Sequence, residues 1–180
     1  HRSPEHEKAD MSEPEVLIGK NDGLGSITLN RPKAINALNH PMVQEITPAL
    51  QEWASDDSVE AVVITGAGER GLCAGGDIVS IYQDAQSGGS GSADFWREEY
   101  ILNAFIARFP KPYVAIMDGI VMGGGVGISA HGNVRIVTER SKIGMPEVGI
   151  GFVPDVGGTY LLARTPGELG AHVALTTAQM

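Results

Sequence analysis

The sequence predicts a single α/β domain. Apolar stretches typical of buried strands alternate along the chain with stretches of helical periodicity, the order expected when helices cover a largely parallel sheet. The 180 residues suffice for one domain, and a hydrophobic content of 42% suffices for a sizeable core. Glycine is abundant, with 24 residues, and it clusters in residues 66–76, 123–127 and 149–158. Clustered glycines indicate tight turns at which the backbone comes close to another group.

The N-terminal part of the chain is predicted to contain a disordered leader, a hairpin and a helix. Residues 1–14 are charged and poor in apolar side chains, and no secretory signal is visible. Residues 16–29 alternate around an Asn-Asp-Gly turn, which predicts a β-hairpin. Apolar residues recur at helical spacing through residues 39–53, where Asn39 is expected to cap the helix and Pro48 to kink or break it.

The remaining elements alternate between strand and helix. Residues 85–92 are rich in Gly and Ser and are predicted to form a flexible loop. The last helix is expected to start at Thr165, in a capping box with proline at the first helical position. Apolar patterns predict five further elements: strands at 62–65, 113–117 and 134–137, and helices at 95–106 and 123–130.

The composition argues against several classes of function. A formal net charge of −9 opposes binding to nucleic acid or to an anionic membrane surface. Residues 113–130 carry one charge, but an Asp-Gly turn and a glycine triplet within them favour a buried strand and helix over a membrane span. Cys73 is the only cysteine, which excludes an intrachain disulfide and favours a reducing compartment. The five histidines show no metal-binding spacing, so no metal is expected.

Residues 66–71 match G-x-G-x-x-G directly after a predicted strand, the pattern of a dinucleotide site. Such a site needs its glycines to open a helix, and an acidic residue about twenty positions further on. Gly75 and Gly76 lie where that helix would run, and the predicted flexible loop occupies the place of the acid. The sequence therefore speaks against a dinucleotide cofactor.

The glycines have two other interpretations. A helix that begins near Asp77 leaves the N–H groups of Gly75 and Gly76 unpaired, and the triplet 123–125 forms a second turn into a helix. Unpaired N–H groups near a helix start bind anions, and two that converge on one point would form an oxyanion hole. Alternatively, each glycine run only permits a helix to pack closely on a strand. The residue pattern alone leaves both interpretations open.

Four segments of the chain together resemble the crotonase (enoyl-CoA hydratase/isomerase) superfamily. They are LNRPKAINAL, LCAGGDI, IMDGIVMGGGVGIS and GMPEVGIGFVPDVGGTYLLAR, and they span nearly the whole chain after residue 15. The resemblance implies a crotonase-like (ClpP/crotonase) fold, which is a spiral of repeated ββα units. Residues 15–180 would then form an acyl-CoA-binding core that lacks the C-terminal part of the family.

The resemblance also implies a substrate, an oxyanion hole and partners. Members bind acyl-coenzyme A thioesters and hold the thioester carbonyl with two main-chain N–H groups, which match Gly76 and Gly124 here. No cofactor is implied other than the coenzyme A of the substrate. In the family this moiety lies along segments that match Lys33, Ala34, Asn36, Ala74, Asp77 and Ile78. A homo-oligomer, trimer or hexamer, is expected, in a bacterial-type cytoplasm or the mitochondrial matrix.

The branch within the superfamily depends on a few acidic positions. Hydratases that resemble this chain carry two glutamates that match Gly127 and Glu147, so the first is absent. The chain more closely resembles 3-hydroxyisobutyryl-CoA hydrolases of valine breakdown, which carry acids matching Glu147 and Asp155 and a substrate-contacting glutamate matching Glu99. This implies hydrolysis of a short branched 3-hydroxyacyl-CoA thioester. A hydratase or isomerase on the same fold stays open, as does a non-catalytic acyl-CoA-binding subunit or fragment.

The neighbours of these acids predict their chemistry. Apolar surroundings should raise the pKa of Glu147, which suits a general base, although the group could instead attack the carbonyl and form an anhydride. Asp155 is expected to cap a helix whose dipole lowers its pKa, while it orients water or binds the substrate hydroxyl. Glu99 either shares the apolar side of its helix or reaches solvent at the edge. His131 and Cys73 are expected to be packing residues.

Overall fold

The computed structural model describes residues 13–180, so the predicted leader of residues 1–14 lies outside the described residues except for its last two positions. The strands are β1 (Val16–Asn21), β2 (Leu24–Leu29), β3 (Ala61–Gly66), β4 (Tyr113–Met117), β5 (Ile120–Met122), β6 (Val134–Val137) and β7 (Lys142–Gly144). The helices are α1 (His40–Ser55), α2 (Ile78–Ser87), α3 (Gly91–Ala107), α4 (Gly124–Ser129), α5 (Gly158–Leu162) and α6 (Leu169–Thr176). Two 3₁₀ turns cover Pro32–Ala34 and Glu147–Ile150.

One sheet with the strand order β1-β2-β3-β4-β6 supports the domain. β1 and β2 form the predicted antiparallel hairpin, and every other neighbouring pair in this sheet is parallel. Val62 and Ile64 in the central strand β3 are fully buried. The apolar face of α1 belongs to the same core, which confirms the predicted α/β class.

A second layer of short extended segments makes the fold repetitive. β5 pairs in parallel with β7, and isolated bridges join Cys73 to Val121 and Leu38 to Gly76. A long strand is thus followed by a short segment of this layer and then by a helix, as in β3, Cys73 and α2 or in β4, β5 and α4. The predicted spiral of ββα units is confirmed. It brings the turn after Cys73 and the turn after β5 side by side, because the Met122 N–H donates to the Cys73 carbonyl at 3.0 Å.

Helix α1 begins as predicted and continues further than predicted. The Asn39 side chain accepts a hydrogen bond from the Met42 N–H at 3.0 Å, which confirms the cap. The helix runs through Pro48 as one element, so of the two predicted outcomes, a kink or a break, the break is wrong. Pro48 lies on the exposed face of α1, where water can bind the carbonyl that loses its partner.

The flexible loop predicted for residues 85–92 is wrong in extent. Helix α2 continues through Ser87, and only residues 88–90 separate it from α3. The Asp84 carboxylate accepts hydrogen bonds from the N–H groups of Gly91 and Ser92, which supplies the start of α3 with acceptors. A side chain of the preceding helix therefore orders residues whose composition is typical of a linker.

The predicted start of the last helix at Thr165 is also wrong. Helix α6 begins at Leu169, and its cap makes no side-chain hydrogen bond. Gly167 adopts a left-handed φ of +56°, which a helix cannot contain. The Thr165 hydroxyl donates to the Leu162 carbonyl at 2.8 Å and is therefore turned away from a capping role.

Two excluded interpretations can be compared with the fold. Within residues 13–180, no helix combines the length and the hydropathy that a membrane crossing requires. Residues 66–71 end β3 and lead into the second layer, and the next helix starts only at Ile78. The glycines therefore do not open a helix, which rules out the dinucleotide fingerprint.

Candidate active site

One cavity of about 320 Å³ brings the predicted catalytic residues together. Its lining includes the glycine turn before α2, the glycine turn before α4, the inner face of α3 and the chain from Pro146 to Val156. Seven of the predicted site residues share this lining: Ala74, Gly76, Ile78, Glu99, Gly124, Glu147 and Asp155.

The two glycine turns stand close together at one side of the cavity. A β-carbon added to Gly124 would lie 3.2 Å from the main-chain nitrogen of Gly76. Within residues 13–180, the N–H groups of Gly76 and Gly124 have no hydrogen-bond partner, so both donors are available to a ligand. Both turns need glycine, because Gly75 has a φ of +117° and Gly123 a φ of +49°.

Glu147 begins the 3₁₀ turn after Pro146 and points toward the second glycine turn. A β-carbon on Gly123 would lie only 2.7 Å from Glu147 Oε1, and Oε2 is buried without a hydrogen-bond partner in the described part of the chain. The residue is 7% exposed. Burial raises the pKa of Glu147 to about 7, its own main-chain N–H opposes the shift, and the charge of Asp155 adds to it. The predicted rise in the pKa is confirmed.

Glu99 projects from α3 into the same cavity. It is 3% exposed, so the alternative in which it reaches solvent is wrong. Its Oε1 has no hydrogen-bond partner among the residues that the structure describes, and a β-carbon on Gly124 would lie 2.9 Å from this oxygen. Burial, followed by the charges of Asp155 and Glu147, raises the pKa of Glu99 to about 8. At neutral pH this carboxyl group is largely protonated and can donate a hydrogen bond.

Asp155 differs from its prediction in two respects. It does not cap a helix, because the cap of α5 is Gly157 and only the main-chain oxygen of Asp155 takes part, accepting from Gly158 at 2.6 Å. The pKa of Asp155 is raised, not lowered, because burial outweighs the hydrogen bond from Tyr100. The Tyr100 hydroxyl donates to Asp155 Oδ2 at 2.7 Å and fixes the carboxylate at the cavity.

The three acids therefore form one group in which each carboxylate binds a proton more readily than it does in water. Glu99 and Glu147 are buried, Asp155 is half-buried, and the pKa of each is raised from its ordinary value. A group with a pKa near neutrality exchanges protons efficiently at physiological pH. Within residues 13–180, no three His, Cys, Asp or Glu side chains are arranged to hold a metal ion.

The residues expected along coenzyme A divide into two sets. Ala74 and Ile78 line the cavity, whereas Lys33, Ala34, Asn36 and Asp77 do not. The two predicted segments are nevertheless adjacent, because the Ala74 N–H donates to the Ile35 carbonyl at 2.9 Å. Lys33 and Ala34 lie exposed on the 3₁₀ turn Pro32–Ala34 beside this contact.

The side chains of Asn36 and Asp77 are engaged in structural hydrogen bonds. Asn36 is fully buried, and its amide donates to the carbonyls of Ala67 and Gly71 at 3.0 Å each. Asp77 caps α2 and accepts from Arg31 Nη2 at 2.9 Å. Arg31 also lies 3.1 Å from a carboxylate oxygen of Glu15, so its charge is already balanced by two acids. The sequence pattern alone did not reveal these contacts.

The sequence analysis also missed residues that shape the cavity. Trp96 and Phe152 line it and stack with ring centroids 5.5 Å apart. Trp96 precedes Glu99 by three positions on α3, a spacing that places both on one helix face. Tyr100, the partner of Asp155, was not assigned a role. The helical spacing between Trp96 and Glu99 could have predicted that Trp96 faces the site. Nothing in the sequence could have predicted the contact between Tyr100 and the distant loop that carries Asp155.

Two residues expected to pack do so. Cys73 is fully buried, and burial raises the pKa of its thiol to about 12, which leaves it protonated. His131 Nε2 lies 2.7 Å from the Val156 carbonyl oxygen, so the ring is hydrogen-bonded within the protein.

The fold and this cavity define a domain of the crotonase type, and the comparisons agree. The enoyl-CoA hydratase/isomerase family matches residues 24–180. The chain belongs to that family.

Three relatives illustrate the range of names within the family. The mitochondrial 3-hydroxyisobutyryl-CoA hydrolase of Danio rerio is 50% identical over 171 residues, which are 95% of this chain and 45% of that protein. A crystal structure of a carnitinyl-CoA dehydratase from Mycobacterium thermoresistibile superimposes with a TM-score of 0.91 at 63% identity, covering 93% of this chain and 49% of that one. The small ribosomal subunit protein mS47 of Neurospora crassa is 46% identical over 170 residues, 92% of this chain and 34% of that protein. The chain thus spans under half the length of these relatives.

Proposed function

We propose that the protein hydrolyses a short branched 3-hydroxyacyl-CoA thioester, with 3-hydroxyisobutyryl-CoA of valine breakdown as the substrate. The observation that carries the proposal is that two N–H groups without a partner among residues 13–180, the buried carboxyl groups of Glu99 and Glu147 and the half-buried carboxyl group of Asp155 converge on one cavity. The name of the zebrafish relative supports the same reaction. Two N–H donors match the charge that develops on a thioester oxygen, and the acids supply proton transfer.

The proposed reaction begins with the thioester carbonyl oxygen between the N–H groups of Gly76 and Gly124. Glu147 removes a proton from water while the water oxygen bonds to the carbonyl carbon. The tetrahedral intermediate then collapses, the carbon–sulfur bond breaks, and the proton held by Glu147 passes to the departing thiolate. The products are the free hydroxy acid and the thiol of coenzyme A, and Glu147 returns to its ionised form. A pKa of about 7 suits this exchange at neutral pH.

Glu99 and Asp155 are proposed to bind the 3-hydroxyl group of the substrate. The protonated Glu99 carboxyl donates to the hydroxyl oxygen, and Asp155, held by Tyr100, accepts the hydroxyl proton. Trp96 and Phe152 supply the apolar wall against which a branched acyl group packs. A site built around a hydroxyl group discriminates strongly against analogues that lack it, because its buried polar groups then stay unpaired.

We propose the path of coenzyme A, the oligomeric state and the cellular compartment by analogy with the family. Coenzyme A enters as part of the substrate, along Ala74, Ile78 and the adjacent turn that carries Lys33 and Ala34. We propose a homo-oligomer, a trimer or hexamer. The zebrafish relative is named as a mitochondrial protein, which supports the mitochondrial matrix among the two compartments that the sequence allows.

The test is the release of free thiol from 3-hydroxyisobutyryl-CoA by the wild type and by Glu147→Gln. Loss of a general base lowers the rate by roughly 10²–10⁴-fold. Glu45→Gln is the matched control, since Glu45 lies exposed on α1 away from the cavity. Undiminished thiol release by Glu147→Gln would refute the proposal. In a single turnover in ¹⁸O-labelled water, label on Glu147 would show that this residue had attacked the carbonyl to form an anhydride, which water then cleaved at the glutamyl carbon.

A hydratase or dehydratase is the second candidate, and one observation favours it. Gly127 lacks the acid of the hydratases, but Glu99 brings a second carboxyl group to Gly124 from another helix. The mycobacterial relative is named as a dehydratase. Loss of enoyl absorbance from crotonyl-CoA, without release of thiol, would favour this candidate over hydrolysis.

Binding without catalysis is the third candidate. The Neurospora relative is named as a ribosomal protein, so the family contains a member with a name that denotes no reaction. Calorimetry with acyl-CoA would distinguish this candidate. Tight binding without turnover of any thioester or enoyl thioester would favour it and would contradict the proposed hydrolysis.

A further inference from the structure

The loop that carries Asp155 contains an unusual backbone conformation. Val156 has a φ of +48° and is 2% exposed. The left-handed region is an outlier for a β-branched residue, and such residues persist only where the surrounding structure holds them. Gly157 follows with a φ of +72°, so two successive residues turn the chain in this way. The turn lies between the carboxylate of Asp155 and helix α5.

His131 makes the contact that holds this turn. Its Nε2 lies 2.7 Å from the Val156 carbonyl oxygen, and because a carbonyl only accepts, the nitrogen carries the proton. The imidazole ring also covers Gly157, at which an added β-carbon would lie 2.6 Å from ring carbon Cε1. The ring therefore both binds the strained peptide and fills the space above the next residue.

The opposite side of the turn packs against helix α4. A β-carbon added to Gly127 would lie 2.6 Å from the Val156 β-carbon, so the valine side chain occupies the space above that glycine. The same short helix begins with Gly124, one of the proposed oxyanion donors, and His131 follows two residues after its last residue Ser129. Helix α4 and its end thus connect the N–H donor to the loop of the acid.

We propose that His131 is a positioning residue for Asp155. By donating to the Val156 carbonyl, it holds the left-handed turn that directs the Asp155 carboxylate into the cavity and onto the Tyr100 hydroxyl. This inference rests on the proposed function, in which Asp155 binds the substrate hydroxyl. It gives His131 an effect on catalysis although the ring does not line the cavity that holds the three acids.

The test compares two thioesters, 3-hydroxyisobutyryl-CoA and isobutyryl-CoA, which lacks the hydroxyl group. In His131→Phe we expect kcat/KM for the hydroxylated substrate to fall by about 10²-fold, the size typical of a misplaced group, and to fall far less for isobutyryl-CoA. In a cycle with Asp155→Asn, the double variant should lose no more than Asp155→Asn alone. Equal losses on both substrates, or losses that multiply in the double variant, would overturn the proposal, since a role in stability alone predicts them.

Two further variants and one structure complete the test. His131→Gln restores an N–H donor and should recover most of the loss, whereas His172→Phe, at an exposed histidine of α6, should match the wild type. A crystal structure of His131→Phe gives a result independent of turnover. We expect Val156 to leave the left-handed region and the bond between Tyr100 and Asp155 to break. A positive φ at Val156 with that bond intact would contradict the inference, whereas failure of the wild type to hydrolyse either thioester would contradict only the proposed function.

Discussion

Replacing Glu99 by glutamine should make the protein more stable at alkaline pH. In the folded protein, burial and two neighbouring acids raise the pKa of Glu99 from its ordinary 4.5 to about 8. The folded state therefore holds a proton on Glu99 that the unfolded chain has already released in this pH range. Because folding then takes up a proton, the free energy of unfolding falls as pH rises from about 4.5 to about 8. Glutamine cannot ionise, so it removes this dependence.

The size of the effect follows from the pKa of Glu99. Each pH unit between the two pKa values lowers the free energy of unfolding by about 1.4 kcal/mol. Across the whole window, ionised Glu99 destabilises the fold by about 4 to 5 kcal/mol, an upper limit because Glu147 and Asp155 titrate in the same cavity. We therefore expect Glu99→Gln to match the wild type near pH 5 and to exceed it by a few kcal/mol near pH 9.

Urea denaturation at a series of pH values measures this difference. The wild type should lose stability between about pH 5 and pH 8, and Glu99→Gln should lose markedly less. Glu45→Gln, at an exposed position of α1, should follow the wild-type curve. Parallel curves for Glu99→Gln and the wild type would refute the burial of Glu99 as an acid with a raised pKa.

Three other outcomes are expected. The rate of hydrolysis should rise as Glu147 ionises around its pKa of about 7 and fall as Glu99 ionises around its pKa of about 8. A rate that stays constant from pH 5 to pH 9 would contradict Glu147 as the base and Glu99 as the hydrogen-bond donor. Gly127→Glu should not create a hydratase, because the β-carbon of the new glutamate would lie 2.6 Å from the β-carbon of Val156. We expect the free energy of unfolding, measured in urea, to fall by about 1–3 kcal/mol. A gain of crotonyl-CoA hydration would contradict this prediction. Asp77→Ala should lower the free energy of unfolding by about 1 kcal/mol, because α2 loses its cap. The affinity for coenzyme A, measured by calorimetry, should stay nearly unchanged. A loss of affinity without a loss of stability would instead make Asp77 a ligand-binding residue.

The regular elements of the fold could be predicted because their signals are local. The hairpin, α1 and the strands β3, β4 and β6 follow from apolar periodicity and turn residues within a few positions. The errors occurred where a distant side chain decides the outcome. Asp84 supplies the acceptors that allow α3 to begin at Gly91, and the composition of that segment does not contain this information.

The candidate site could be predicted only in part. The residues themselves indicated unpaired N–H groups at Gly76, but nothing in the pattern showed that Gly76 and Gly124 meet; that expectation came from the family resemblance. The rise in the pKa of Glu147 followed from its apolar neighbours. The predicted direction of the pKa shift of Asp155 was wrong, because the sequence suggested a helix start and could not show the partial burial of this residue beside Tyr100.

A crystal structure of Glu147→Gln with bound 3-hydroxyisobutyryl-CoA is the most direct test of the central claim. The thioester carbonyl oxygen should lie about 3 Å from the main-chain nitrogens of both Gly76 and Gly124, with the side chain at position 147 facing the carbonyl carbon. A carbonyl oxygen bound elsewhere, or in contact with only one of the two N–H groups, would contradict the account.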